Sequence, residues 1–131
     1  MREILFKAKR KDNGEWVIGD YSHFPNNDVG IEYTHKFFGS GTKSRITIEV
    51  DPETICQYTG LLDKNGKKIF EGDIISILNK QDWKVVYECG QFITYGYKEE
   101  YIFEPLTLNT WKTECVEVIG NIFDNPELMG V

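Results

Sequence analysis

Apolar and polar positions alternate from the start of the chain. Ile4, Phe6 and Ala8 fall on one side of an extended strand, and Leu5, Lys7 and Lys9 on the other. Asp12-Asn13-Gly14 follows as a turn, because Asn and Gly tolerate positive φ, and Trp16-Val17-Ile18 resumes the strand. The pattern predicts a hairpin over residues 3–18, a loop over 22–30, and a strand from Ile31 to Phe38 that breaks at Gly39-Ser40-Gly41. Ile46, Ile48 and Val50 alternate with Thr47 and Glu49 as a half-buried strand does. Asp51-Pro52-Glu53 reads as a capped helical start, which Gly60 limits to a turn or two.

The second half repeats this grammar. Cys56–Leu62, the turn Asp63-Lys64-Asn65-Gly66 and Lys68–Phe70 form strand, turn and strand. Glu71-Gly72-Asp73 leads into the core run Ile74–Leu78, where Asp73 is expected to accept backbone amides in a tight turn. Trp83–Tyr87 and Gln91–Tyr97 bracket a Cys89-Gly90 turn. Weaker strands are expected at Tyr101–Phe103 and Leu106–Trp111. A last strand runs from Cys115 to Phe123 with a bulge at Gly120, before a helical turn near residues 124–128. Short strands at about ten-residue spacing predict a mainly β protein. The expectation is a single small domain over residues 1–131, with a barrel-like (SH3-like or related) core of short antiparallel strands and at most short helical turns.

Composition agrees: β-branched and aromatic residues abound, against the single alanine Ala8. Charge is uneven. The net value is −6, yet residues 1–11 carry +4 and the remaining 120 carry −10. An acidic body opposes duplex binding, which needs several phosphates neutralised. The basic start reads most simply as solvated charge on the first hairpin. Cys56, Cys89 and Cys115 form no C-x-x-C pair, and read as reduced thiols buried as small hydrophobes. No apolar run reaches the ~18 residues of a membrane span, and no signal-peptide core follows Met1, so a cytoplasmic location is expected.

Candidate chemistry is sparse. Gly39-Ser40-Gly41-Thr42-Lys43-Ser44 superficially resembles a phosphate-binding loop, but Thr42 separates Gly from Lys and a strand, not a helix, follows. Ser22, Ser40, Ser44 and Ser76 lie in no nucleophile elbow. His23 and His35 read as surface or packed side chains rather than ligands. The carboxylates Glu49, Asp51 and Glu53, and the pair Glu99-Glu100, read as solvated surface. The aromatics remain: Tyr95, Tyr97, Tyr101, Phe103 and Trp111 gather in the second half, fit for core packing, a protein interface or base stacking. Acids dominate residues 99–131, which places a protein interface ahead of nucleic acid. The chain is expected to hold no metal and no cofactor.

Three blocks together resemble the YopX family. They are Met1-Arg2-Glu3-Ile4-Leu5-Phe6-Lys7-Ala8 with Trp16 and Gly19-Asp20, the run DPETICQYTGLLDKNGKKIFEGDII from Asp51 to Ile75, and VIGNIFDNPEL over residues 118–128. Lys9 departs from the aromatic that often follows the early Ala in that family. The resemblance implies a small, mostly β phage or prophage protein with a barrel-like core, acting in a bacterial cytoplasm. It brings no catalytic residues with it. The expected function is therefore that of a non-enzymatic accessory factor binding a host or phage protein, with interface anchors between residues 83 and 111. The alternatives are nucleic-acid association through the first hairpin or an aromatic face, and, third, an unrecognised enzyme.

Overall fold

The computed structural model describes residues 4–36, 41, 43–77, 81–98, 101–102, 106–107 and 113–129. Twelve strands and three short 3-10 turns make up these residues, all strand pairings are antiparallel, and none of their helices is long and apolar enough to cross a membrane. The chain divides into two compact units, residues 1–57 and 58–131.

The first unit is a meander of β1 (Phe6–Lys9), β2 (Trp16–His23), β3 (Val29–Lys36) and β4 (Lys43–Glu49), in the sheet order β4-β3-β2-β1. The first residues of β5 (Cys56–Leu62) add to β1, through Lys7 opposite Cys56 and Phe6 opposite Gln57. The expected alternation holds. Ala8, Ile31 and Val50 form the buried centre, with Phe6, Val17, Val29 and Ile55 packed on it. The expected loop 22–30 shrinks to five residues: Ser22 and His23 continue β2 opposite Gly30 and Val29, because the ladder with β3 extends to the turn. That turn closes through Phe24 and Asp28, with Asn27 at φ 71°. The capped start at Asp51 is present as a 3-10 turn, Pro52–Thr54, in which Asp51 accepts the Glu53 amide at 3.0 Å.

A single antiparallel bridge, Arg10 to Val50, returns the end of β4 to β1. The Asp51 amide donates to the Lys9 carbonyl beside it, at 2.8 Å. No continuous ladder follows, so among the described residues neither sheet closes into the expected barrel.

In the second unit β5 turns through Asp63–Gly66 into β6 (Lys68–Phe70). A second sheet has the order β10-β9-β8-β7-β12, from β7 (Asp73–Ile77), β8 (Gln81–Glu88), β9 (Gln91–Lys98), β10 (Tyr101–Ile102) and β12 (Val116–Asn121). The short β11 (Leu106–Thr107) also pairs with β9. The last strand is shorter than expected, since Cys115 ends a 3-10 turn, but the bulge falls where Gly120 predicts it, between Val118 and Gly120. Phe103 and Leu108–Trp111 lie outside the described residues. Ile69, Ile75, Ile77, Trp83, Val85, Phe92 and Val116 make the core.

Two buried aspartates organise this unit. Asp73, at 2 % exposure, accepts the Phe70 amide at 2.8 Å and so fixes the turn between β6 and β7, as expected. Asp63, at 5 %, accepts three amides: Asn65 and Lys67 on Oδ1, both at 2.9 Å, and Val118 on Oδ2 at 3.0 Å. Burial pushes the Asp63 carboxyl up. The amides of Val118, Lys67 and Asn65, with the Lys67 charge, outweigh that and hold it below the usual carboxylate range.

Two of the turns depend on left-handed backbone, with Gly66 at φ 80° and Gly72 at φ 85°. Gly66 faces open space, so Gly66→Ala is expected to cost about 1 kcal/mol from backbone strain alone, and Gly66→Asn less, in urea unfolding. Asp63→Asn removes the charge and at least one acceptor, and is expected to cost about 2–4 kcal/mol at neutral pH. The lowered carboxyl makes the unfolded chain bind more protons than the native one below the ordinary range near ~4. The stability advantage of the wild type over Asp63→Asn should therefore hold above that pH and vanish as pH falls through the native value. Unfolding free energies measured from pH 7 to pH 2.5 check this.

Candidate functional site

Strand alternation gives the first unit two dissimilar faces. Ala8 pairs with Val17 on the core side, so Lys7 opposite Ile18 and Lys9 opposite Trp16 lie on the outer side. There the ammonium groups of Lys7 and Lys9 sit 4.7 and 5.4 Å from the Trp16 ring centre, in cation–π contact. Ile18 is 49 % exposed beside them.

The same face continues into a charged network. The Arg45 guanidinium on β4 donates to Asp20 on β2, and to Glu32 and Thr34 on β3 at 3.2 and 3.3 Å. The Asp20 bond is the main reason the Arg45 charge is held more firmly than usual. Lys11 reaches Glu49 at 3.2 Å, and Arg10 grips Asp12 with two bonds of 2.9 and 2.7 Å, which lowers the Asp12 carboxyl. The result is an aromatic and aliphatic centre under two lysines, edged by paired charges. Two shallow grooves flank Glu49. One, of about 430 Å³, is lined by Lys11, Asp12, Thr47, Ile48 and Glu49; the other, of about 330 Å³, by Phe24, Pro25, Asn26, Asp28 and Glu49.

The residues singled out from sequence are dispersed. Lys43 and Ser44 of the phosphate-loop lookalike are strand residues of β4. His23 is exposed, its Nε2 3.2 Å from the Tyr21 hydroxyl, and Tyr21 in turn packs on Phe6 at 5.7 Å between ring centres. The His35 side chain and Glu99-Glu100 lie outside the described residues. Glu49 pairs with Lys11 and Asp51 caps its turn, while Glu53 is exposed. Among the described residues no three His, Cys, Asp or Glu side chains gather as a metal site.

Of the aromatics between residues 83 and 111, Trp83 and Phe92 are core, Tyr87 is 44 % exposed, and Tyr95 donates to Glu88 at 2.6 Å. The side chains of Tyr97 and Tyr101, together with Phe103 and Trp111, lie outside the described residues. The outer face of β1 and β2 was only half legible, because alternation places Lys7, Lys9, Trp16 and Ile18 together but says nothing of Arg45.

The cysteines need a correction. Cys56 is buried, its thiol donating to the Thr54 carbonyl, and Cys115 is half-buried, but Cys89 is exposed. Cys89 forms the turn between β8 and β9 at φ 52°, ahead of Gly90, which lifts it out of the sheet. In a native thiol titration Cys89 is expected to react first and Cys56 only on unfolding, as read by mass spectrometry of the labelled peptides.

The fold has a solved counterpart. The crystal structure of protein EF1440 from Enterococcus faecalis is 25 % identical and superposes with a TM-score of 0.57, over 98 % of this chain and 99 % of that one. No curated protein matches the chain. The family model described as YopX protein matches residues 5–130, nearly the whole sequence, and the chain therefore belongs to the YopX protein family.

Proposed function

We propose that this protein is a phage- or prophage-derived accessory factor of the bacterial cytoplasm that works without turnover, by binding a host or phage protein. The carrying observation is the outer face of the first unit, where exposed Ile18 adjoins Trp16 under Lys7 and Lys9, inside a border of paired charges. An apolar and aromatic centre with a polar rim is the anatomy of a protein interface, and Trp is enriched among the residues that dominate such interfaces. This moves the expected anchors from residues 83–111, where Trp83 and Phe92 serve the core, to β1 and β2. The two lysines favour a partner patch with carboxylates around an apolar middle. The reading takes the first unit as an open, barrel-like module, supported by the bridge that returns Val50 to Arg10.

A second reading rests on the same indole. Trp16 beside Lys7 and Lys9 has the elements of a stacking platform for single-stranded nucleic acid, a ring face with cations for the backbone. The net charge of −6 works against it.

Affinity capture from host lysate with wild type and Ile18→Asp separates the two. Ile18 is exposed, so the variant is expected to melt within a few degrees of wild type. The protein-partner reading expects proteins that survive nuclease and are lost with Ile18→Asp. Oligonucleotide binding at physiological salt, lost with Trp16→Ala and Lys7→Glu, would replace it with the second reading.

A further inference from the structure

We propose that Asn13 is a site of self-modification, where its side-chain amide condenses with the Gly14 backbone nitrogen and becomes a carboxylate, while the fold protects the same dipeptide at Asn65-Gly66. The sequence holds these two Asn-Gly pairs, each in a turn between strands. Both are exposed, and both glycines are left-handed, with φ 74° at Gly14 and 80° at Gly66. Exposure and backbone sign therefore do not tell them apart.

The reaction needs only solvent water. The Gly14 nitrogen attacks Cγ of Asn13, and the new N–Cγ bond closes a five-membered imide. Nδ2 leaves as ammonia, taking the proton that the glycine nitrogen gives up. Water then opens the imide at either carbonyl. One opening yields aspartate; the other yields isoaspartate, whose main chain runs through Cβ and Cγ. Glycine permits the attack because no Cβ crowds the approach, and the reacting groups already sit on adjacent residues.

The glycine nitrogens are alike at the two sites. Gly14 donates to the Arg10 carbonyl at 2.9 Å, and Gly66 to the Asp63 carbonyl at 3.0 Å. The asparagines differ. Asn13 Oδ1 accepts the Glu15 amide at 2.9 Å, which folds the side chain back over Gly14 and draws electrons from Cγ. The same donor meets the negative charge that this oxygen gains during attack.

Asn65 is held the other way. Its side-chain nitrogen donates to Glu117 on β12 at 3.3 Å, which directs the amide toward that strand. Its backbone amide and that of Lys67 both donate to the buried Asp63 carboxylate at 2.9 Å, and the Lys64 amide donates to the Val116 carbonyl. Closing an imide at Asn65 turns the backbone between these bonds. Losing even one amide from a charged carboxylate is enough to slow the reaction roughly tenfold.

The product alters the first hairpin. It adds one negative charge to a net of −6, between Asp12 and Glu15. Isoaspartate also lengthens the main chain of the turn that joins Lys9 to Trp16, and turn length fixes the register of β1 on β2.

Incubating the full chain in mildly alkaline buffer, with peptide mapping by mass spectrometry and isoaspartate detection, follows both sites in one sample. In the folded protein Asn13 is expected to convert roughly tenfold faster than Asn65, and in concentrated urea the two should come within about threefold. Glu117→Ala releases the Asn65 side chain and should speed Asn65 about threefold while Asn13 keeps its rate, an internal check that the variant is folded. Equal rates at the two sites in the folded chain overturn the proposal, as does a ratio that urea leaves unchanged. So does a Glu117→Ala chain in which Asn65 is no faster, or a folded Asn13 that stays intact while the unfolded chain is converted.

Discussion

A buried carboxylate bonded to backbone amides is the interaction on which the second half of the molecule depends. Asp63 sits at the end of β5 and accepts two amides of its own turn and one from Val118, fifty-five residues later. The first two bonds shape the turn into β6. The third ties that turn to β12, where the Lys64 amide also donates to the Val116 carbonyl. A carboxylate buried to this degree is tolerated only when its acceptor sites are filled by donors. Three amides supply such donors, and with the Lys67 charge they outweigh burial and hold the Asp63 carboxyl below its usual range. Asp73 repeats the device at the entrance to β7. Core residues such as Ile69, Ile75 and Val116 lie on the strands these carboxylates position, so apolar packing and amide capture act on the same elements.

The first unit solves a different problem. Its fully buried centre is small, with Ala8, Ile31 and Val50 in it and larger side chains only half covered around them. Close approach of β1 to the centre is what Ala8 permits, since its position is 0 % exposed. The backbone bridge from Arg10 to Val50 and the Lys9–Asp51 bond then hold the two ends of the meander together where apolar area is limited. Thr54 adds to the same corner, accepting the Lys9 amide at 2.9 Å and donating to the Asp51 carbonyl at 2.7 Å. The short 3-10 turn at Pro52–Thr54 is thus a clasp on β1.

Local rules were enough to read most of the strands and turns. Asp12-Asn13-Gly14, Asp63–Gly66 and Cys89-Gly90 each show their turn because the chemistry is carried by the turn residues themselves. Asp73 was legible for the same reason, with its amide donor three residues away. The Val118 amide on Asp63 was not, since a contact across fifty-five residues depends on which strands lie together. Nor was the Arg45 network: Asp20, Glu32 and Arg45 are ordinary charges in sequence, and only the order β4-β3-β2 lines them across one face. Cys89 was misjudged because thiol burial is a tendency of the residue type, and a turn with positive φ overrides it.

The basic start of the chain looks different once its partners are placed. Of the cations within residues 7–11, Arg10 is gripped by Asp12 and Lys11 by Glu49, so either would have to leave a carboxylate to meet a phosphate. Lys7 and Lys9 are spent on the Trp16 ring, at an angle set by the strand they share. A field that neutralises many phosphates is therefore not what this hairpin presents, although its sequence suggests one. What it presents is a flat indole with two ammonium groups over it, beside an exposed isoleucine, on a sheet face where Arg45 is paired across strands to Asp20 and Glu32. Local pairing of this kind shortens the reach of each charge and leaves the indole and Ile18 as the apolar centre of this face.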